Sequence, residues 1–263
     1  MGNREIYPNP PLALTVVQLS HTATSALSES DQASLKAKLV SRFPLFRPHQ
    51  RMNVTITPAG AAQEQSVDPR FVTRDNTASV TYRRDAIVVE TTRYERRSVL
   101  RELLHLAVEA RQAVAPVDGV TRLGVRYINE IRGDIDGPAD WSRWIAPALT
   151  SVASMQAGAD AQALSWQGLA IFGSPETGVA LRHGNLEGGY AVDPTGDLRR
   201  STTPDPGPFY LLDLDSYWTP SGETPPLVWS DTADRYDAAA LSAQQLFEQL
   251  ITAEYRELIR HDQ

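Results

Sequence analysis

Residues 121–131, TRLGVRYINEI, put Arg122, Gly124 and Arg126 on one side of a strand-like run, while Leu123, Val125 and Tyr127 take the other. At strand rise the two arginines stand roughly 13 Å apart, too far to clamp one small phosphate together but suited to lining a groove. Gly124 between them leaves room for a backbone or a ligand to come close. A second strand-like run, FYLLDLDSYW (209–218), carries Asp213, Asp215 and Tyr217 on one face. Carboxylates two residues apart on a strand lie roughly 7 Å from each other, a spacing that suits acid–base chemistry or a divalent cation. The alternative use of all these groups is internal: the arginines end in Glu90, Asp213 or Asp215 on neighbouring strands, a pairing for which the planar guanidinium is well shaped. The internal pairing is the expected outcome. The candidate ligand or partner site is Arg122, Arg126, Tyr127 and Asn129 on the first run with Asp215 and Trp218 on the second.

No catalytic constellation stands beside them. The five histidines, His21, His49, His105, His183 and His261, have no zinc-ligand spacing, and no HExxH, nucleophile elbow, phosphate-binding loop or dinucleotide fingerprint occurs. HGNLEGGY (183–190) reads as a turn. All five tryptophans fall in the second half; Trp141 and Trp144 are expected to seal the junction between halves. No metal site and no cofactor is expected.

The elements that position these residues follow from periodicity. LALTVVQLSH (12–21) is a strand; residues 28–43 form a helix opened by a capping-box-like Ser28 and Asp31. MNVTITP (52–58) is a strand followed by a polar stretch, and residues 78–94 contain a hairpin turning at 83–85. A helix over 97–115 precedes the arginine strand, giving β-α-β-β-β-α-β for the first half. The acidic, turn-rich RGDIDGPAD (132–140) reads as a linker. The second half has a helix pattern at 141–149, strands at 163–173, 177–186 and 209–218, a loop from Pro194 to Pro208 and a last helix over 238–259. In both halves a strand ending in an aromatic residue precedes a long helix, which suggests an internal duplication. The expected fold class is α+β: two similar halves, residues 1–132 and 141–263 joined by 133–140, each an antiparallel sheet crossed by a long helix. The sheet edges read as polar and guarded by proline, so an obligate homo-oligomer built edge to edge is the weakest reading.

Composition narrows the function. With 263 residues, 41% hydrophobic and 22% charged, the chain is an ordinary globular protein that can bury a sizeable core. A net charge of −7 argues against binding a phosphate backbone, so nucleic acid is not the expected partner. Without cysteine there is no disulfide, thiol nucleophile or thiolate metal site. No run resembles a signal peptide or a membrane span, and the expected location is the cytoplasm.

TRLGVRYINEI, taken with YPNPPL, IVVETTRY and the closing LFEQLITAEY, resembles a sporadically distributed prokaryotic family of proteins of about this length, without an assigned activity. The likeness covers nearly the whole chain, with Arg122 to Asn129 as its clearest mark. The resemblance implies two related halves and a patchy distribution typical of genes on mobile elements. The expected function is non-catalytic binding: an adaptor, of the antitoxin or mobile-element defence kind, with a protein partner encoded nearby. The alternative is a small-molecule binder or enzyme with a pocket between the halves for an anionic ligand, lined by Arg122, Arg126, Tyr127, Asp215 and Trp218.

Overall fold

The computed structural model describes residues 7–57, 60–156, 161, 163–200 and 202–260. Strand β1 (Leu12–His21) leads to helix α1 (Glu29–Leu39), then to strands β2 (Leu45–Phe46), β3 (His49–Thr57), β4 (Gly60–Asp68), β5 (Arg70–Val72), β6 (Ala78–Tyr82) and β7 (Ala86–Thr91). Helix α2 (Arg97–Val114) and strand β8 (Val120–Ile131) follow. Next come a 3-10 turn (Pro138–Arg143), the one-turn helix α3 (Pro147–Thr150) and strands β9 (Trp166–Gly173), β10 (Thr177–Leu186) and β11 (Phe209–Trp218). Helices α4 (Trp229–Leu250) and α5 (Ala253–Arg260) close the chain.

Among the described residues nine strands make one antiparallel sheet in the order β2-β5-β6-β7-β1-β8-β11-β10-β9, and β3 with β4 forms a separate hairpin. The run expected as a linker therefore connects strands of a single sheet: β8 pairs with β11 along nine residues, from Leu123 opposite Trp218 to Ile131 opposite Tyr210. The structure is mixed helix and sheet, with that large antiparallel sheet at its centre. No helix among the described residues is long and apolar enough to cross a membrane.

One face of the sheet is buried under helices. Val17, Leu19, Leu123 and Val125 pack with Leu100, Leu103 and Leu104 of α2 and with Tyr236, Ala239 and Ala240 of α4. A second cluster joins Leu181, Leu212 and Leu214 to Trp141, Trp144 and Ile145 and to Ala243, Leu250 and Tyr255 of the closing helices. Tyr127 packs against both clusters, so it marks the seam. Trp141 and Trp144 meet edge to face at 5.8 Å inside the second cluster, where Trp141 Nε1 donates to Asn185 Oδ1 at 2.7 Å.

The opposite face is covered in part by the long loop from Glu187 to Pro208. Its Leu198 is buried. Its backbone reaches the residues just before β6 and just after β7: Arg199 N donates to Asn76 O at 2.7 Å, and Thr92 Oγ1 donates to Arg199 O. Glu130, at the end of β8, anchors the loop's other flank by accepting from Ala191 N at 2.8 Å and Arg200 Nη1 at 3.0 Å.

Several elements depart from their sequence patterns for identifiable reasons. In β1 the deeply buried residues are Ala13, Thr15, Val17 and Leu19, whereas Leu14 and Val16 are only half buried on the loop-covered side and Leu12, beyond a register shift, is half buried on the helix side. The polar stretch after residue 58 is strand β4, which pairs with β3 outside the main sheet. His183 to Leu186 continue β10, and the turn begins only after them. The helix pattern at 141–149 is a 3-10 turn followed by α3, with Pro147 opening the latter. The closing helix begins nine residues early, at Trp229, because the added stretch before residue 238 buries only Thr232 and Tyr236 and carries no large aliphatic stripe. It breaks at Ile251, whose extended backbone bridges to Ile145, and restarts where Thr252 Oγ1 accepts from Tyr255 N.

Candidate functional site

The arginines of β8 end in protein carboxylates. Arg126 holds Asp213 with two parallel bonds, Nε to Oδ1 at 2.7 Å and Nη2 to Oδ2 at 2.6 Å, and Arg182 of β10 approaches the same carboxylate at 3.6 Å. This bidentate bond raises the pKa of Arg126 against the opposing effect of burial. Arg122 reaches Asp215 at 3.0 Å and lies over the ring of Tyr217, 5.7 Å from its centre. Its guanidinium occupies the space above Gly124, where a side chain would collide with Arg122 Nη1. The open position in the strand is thus filled from within. Glu90, the third expected partner, pairs with Arg70 instead, at 3.5 Å.

Tyr127, Asn129 and Trp218 lie on the other side of the sheet, as alternation along β8 and β11 requires. The six candidate residues therefore do not converge on one pocket. Trp218 packs under α4, with the Arg235 guanidinium 4.8 Å from its ring centre. Asn129 Nδ2 donates to Leu212 O at 2.9 Å across the seam. Tyr127 meets Tyr94 edge to face at 5.7 Å.

Tyr127 and Asn129 do line a cavity of about 510 Å³ on the helix side, where the chain's two segments meet. Its floor is Leu12, Tyr127, Asn129 and Leu214 from three strands; its walls are the start of α2 and the middle of α4, and Tyr7, Pro10 and Pro11 close one end. Ala240 and Ala243 make the α4 wall shallow, and Phe247 adds an apolar surface.

Charge is distributed unevenly around this space. At the α2 end Arg96, Arg97 and Arg101 face Glu95 and Asp237. Asp237 is shared by two cations, Arg97 Nε at 3.3 Å and Arg101 Nη1 at 2.7 Å. Helix α2 starts there with no side-chain cap and no acidic residue in its first turn, so its unpaired N–H groups add positive potential. At the other end Glu248 accepts from the Tyr7 hydroxyl at 2.8 Å and pairs with Arg256 at 3.2 Å. Between them the tyrosines are neutral: burial pushes the pKa of Tyr94 up and that of Tyr127 well above the tyrosine range, with Tyr94 and Tyr236 adding to the latter. The arrangement suits a molecule with an apolar body and one acidic group directed at α2.

No family model matches the chain, and no curated protein does. The site has to be read from its own residues. Of the cavity's lining the sequence singles out Tyr127 and Asn129, but not Arg96, Arg97, Arg101 or Asp237. The signal for the arginines was present: YERRSVLR opens a helix with basic residues where acidic ones are favoured. Asp237 carried none, because its stretch did not read as helix. No described histidine lines the cavity. His105 stacks on Trp229 at 4.1 Å, His183 bonds the Tyr210 hydroxyl at 3.1 Å, and His261 lies outside the described residues. Among the described residues no three His, Asp or Glu side chains gather as a metal site would need.

Proposed function

We propose that the protein binds a small molecule with an apolar body and a carboxylate or phosphate in the cavity between α2 and α4, and that its two segments are duplicated α+β units whose long helices wall that cavity. The observation that carries this reading is the cavity itself: about 510 Å³, within the range of small-molecule sites, mostly apolar, with two arginines on a single aspartate beside an uncapped helix start. The test is a melting-temperature screen of the purified protein against small acids and their neutral amides or alcohols, followed by native mass spectrometry of any hit. A ligand at a hundredfold excess over its Kd adds about 2.7 kcal/mol of stability. The acid should give that shift, its neutral analogue should not, and both Arg101→Ala and the cavity-filling Ala240→Leu should abolish it. Equal binding of acid and neutral analogue, or binding that survives both substitutions, would overturn the reading.

A second reading rests on a different observation. The last strand of the sheet, β9, is neither polar nor guarded by proline: it carries no charged residue, and Leu169 and Ile171 are 61% and 66% exposed. An uncharged edge of this kind is open to strand addition by a protein partner, in keeping with an adaptor of the antitoxin or defence kind. A charge placed there, Ile171→Lys, should abolish capture of a partner encoded nearby and leave the acid-induced melting shift intact.

A further inference from the structure

Far from the cavity, at the opposite end of α2, the side chain of Arg111 is buried without a counter-charge. The residue is 1% exposed, yet its contacts are few. Nη2 donates to the Thr24 hydroxyl at 3.0 Å, while Nε and Nη1 have no partner. No carboxylate oxygen of the described residues lies within ion-pair distance of it. Asp31, on the first turn of α1, acts on Arg111 only at a distance and is occupied by its own capping box with Ser28. Tyr82, the other titratable neighbour, is uncharged: its hydroxyl donates to Ala107 O at 3.0 Å and burial pushes its pKa up.

The same corner holds further unmet polar atoms. His21, 3% exposed, uses Nδ1 on Thr22 O at 2.8 Å, and its Nε2 has no partner; nor does the Thr22 hydroxyl. Burial lowers the pKa of His21 and the nearby Arg111 adds to this, outweighing the opposing hydrogen bond to Thr22 O and the more distant Asp85, so the imidazole adds no charge of its own at neutral pH. A guanidinium stays protonated under all ordinary conditions, and burying one without an anion in contact is among the costlier things a fold can do. The negative end of the α2 dipole offsets only a small part of that cost. A water bridging Arg111 to His21 Nε2 would satisfy hydrogen bonds and leave the charge unmet.

We propose that this corner, formed by the end of β1, the chain leading to α1 and the last turn of α2, is a site for one small inorganic anion held by Arg111. The site is independent of the ligand cavity. Its occupant supplies in contact the negative charge that Asp31 supplies only at range, and it ties the β1–α1 connection to the α2 terminus.

The experiment uses the full chain. Melting temperature is measured while chloride or phosphate replaces gluconate, a bulky anion, at fixed ionic strength. The expected result is a saturable rise with chloride, phosphate or both, whichever ion the site admits. Arg111→Met should lose the saturable response whether or not its baseline stability changes, and Arg111→Lys, which keeps the charge without the Nε and Nη1 donors, should lose most of it. Crystals of the unmodified protein soaked in bromide should show an anomalous peak in contact with Arg111. That map decides the matter even if neither variant folds. A flat response to both anions with no bromide peak would mean that water alone fills the corner and would overturn the proposal, as would a response that both variants retain.

Discussion

Arg126 and Arg122 look equivalent along the chain, but their partners differ in burial, and that difference decides their weight. The Asp213 side chain is 3% exposed and is met by Arg126 and Arg182, whose side chains are 41% and 51% exposed; Asp215 and Arg122 are both partly open to water. Removing Asp213 leaves two cations over a nearly dry carboxylate position. Because both arginines still reach solvent, Asp213→Ala should cost about 2 kcal/mol, short of the roughly 3–5 kcal/mol of a fully buried pair. Asp215→Ala should cost about 0.5 kcal/mol, as exposed pairs do. Urea midpoints of the two variants measure this, and the double variant Arg126→Ala/Asp213→Ala should recover part of the loss. Both pairings were legible in the sequence as alternatives, since alternation fixes which residues share a face. Their partners could not be read, because register between β8 and β11, with Arg126 opposite Asp215 and Asp213 opposite Ile128, depends on which strands lie side by side. The bonds run diagonally: Arg126 reaches past its direct neighbour Asp215 to Asp213, and Arg122, just beyond the end of the ladder, reaches back to Asp215.

At the scale of elements, the sequence spoke clearly wherever a segment was strongly periodic. The patterns for β1, β10 and β11 match the observed strands end to end, and the helix over 97–115 differs by one residue. It spoke poorly where tertiary pairing made the element: β2, β4 and β5 are short or polar, and the gap between α4 and α5 exists because Ile251 bridges to Ile145. The loop after β10 is the extreme case, since nothing local distinguishes a free loop from one fixed across a sheet. Glu130 fixes it. Its carboxylate is fully buried and accepts from Arg132 Nε at 2.7 Å, Arg200 Nη1 at 3.0 Å and Ala191 N at 2.8 Å, while Arg132 Nη1 reaches Gly207 O at 2.7 Å. Glu130→Ala strands two largely buried arginines, so a loss of about 3 kcal/mol or more is expected. The loss should be local first. Trypsin should cleave at Arg199 and Arg200 at least tenfold faster, corresponding to about 1.4 kcal/mol of easier opening, before the strands of the sheet lose protection. Equal acceleration in loop and sheet would mean that Glu130 supports the sheet and not the loop.

At the scale of the whole molecule, composition and periodicity announced an α+β protein and left open how its two segments meet. They meet through the sheet. The seam is the ladder between β8 and β11, and α4 spans it, burying Tyr236, Ala239 and Ala240 in one cluster and Ala243 and Leu250 in the other. Cutting the chain in the turn-rich stretch after β8 would expose a long central strand on each side, the kind of edge that aggregates, and would strip α4 from half of its core. Residues 136–263 would keep only β9, β10 and β11, few strands to stand alone once the helix above them has lost its other support. Neither 1–135 nor 136–263 should show a cooperative thermal transition when expressed alone, while co-expression should yield a soluble one-to-one complex that melts in a single step. A sharp independent transition in the isolated C-terminal segment would instead make it a domain, and the cavity at the seam an interface between two folded bodies. Since that cavity takes its floor from β1, β8 and β11 together, its shape exists only when the ladder is intact. Binding of an acid by the reassembled fragments, and by neither alone, is therefore the same prediction read through function.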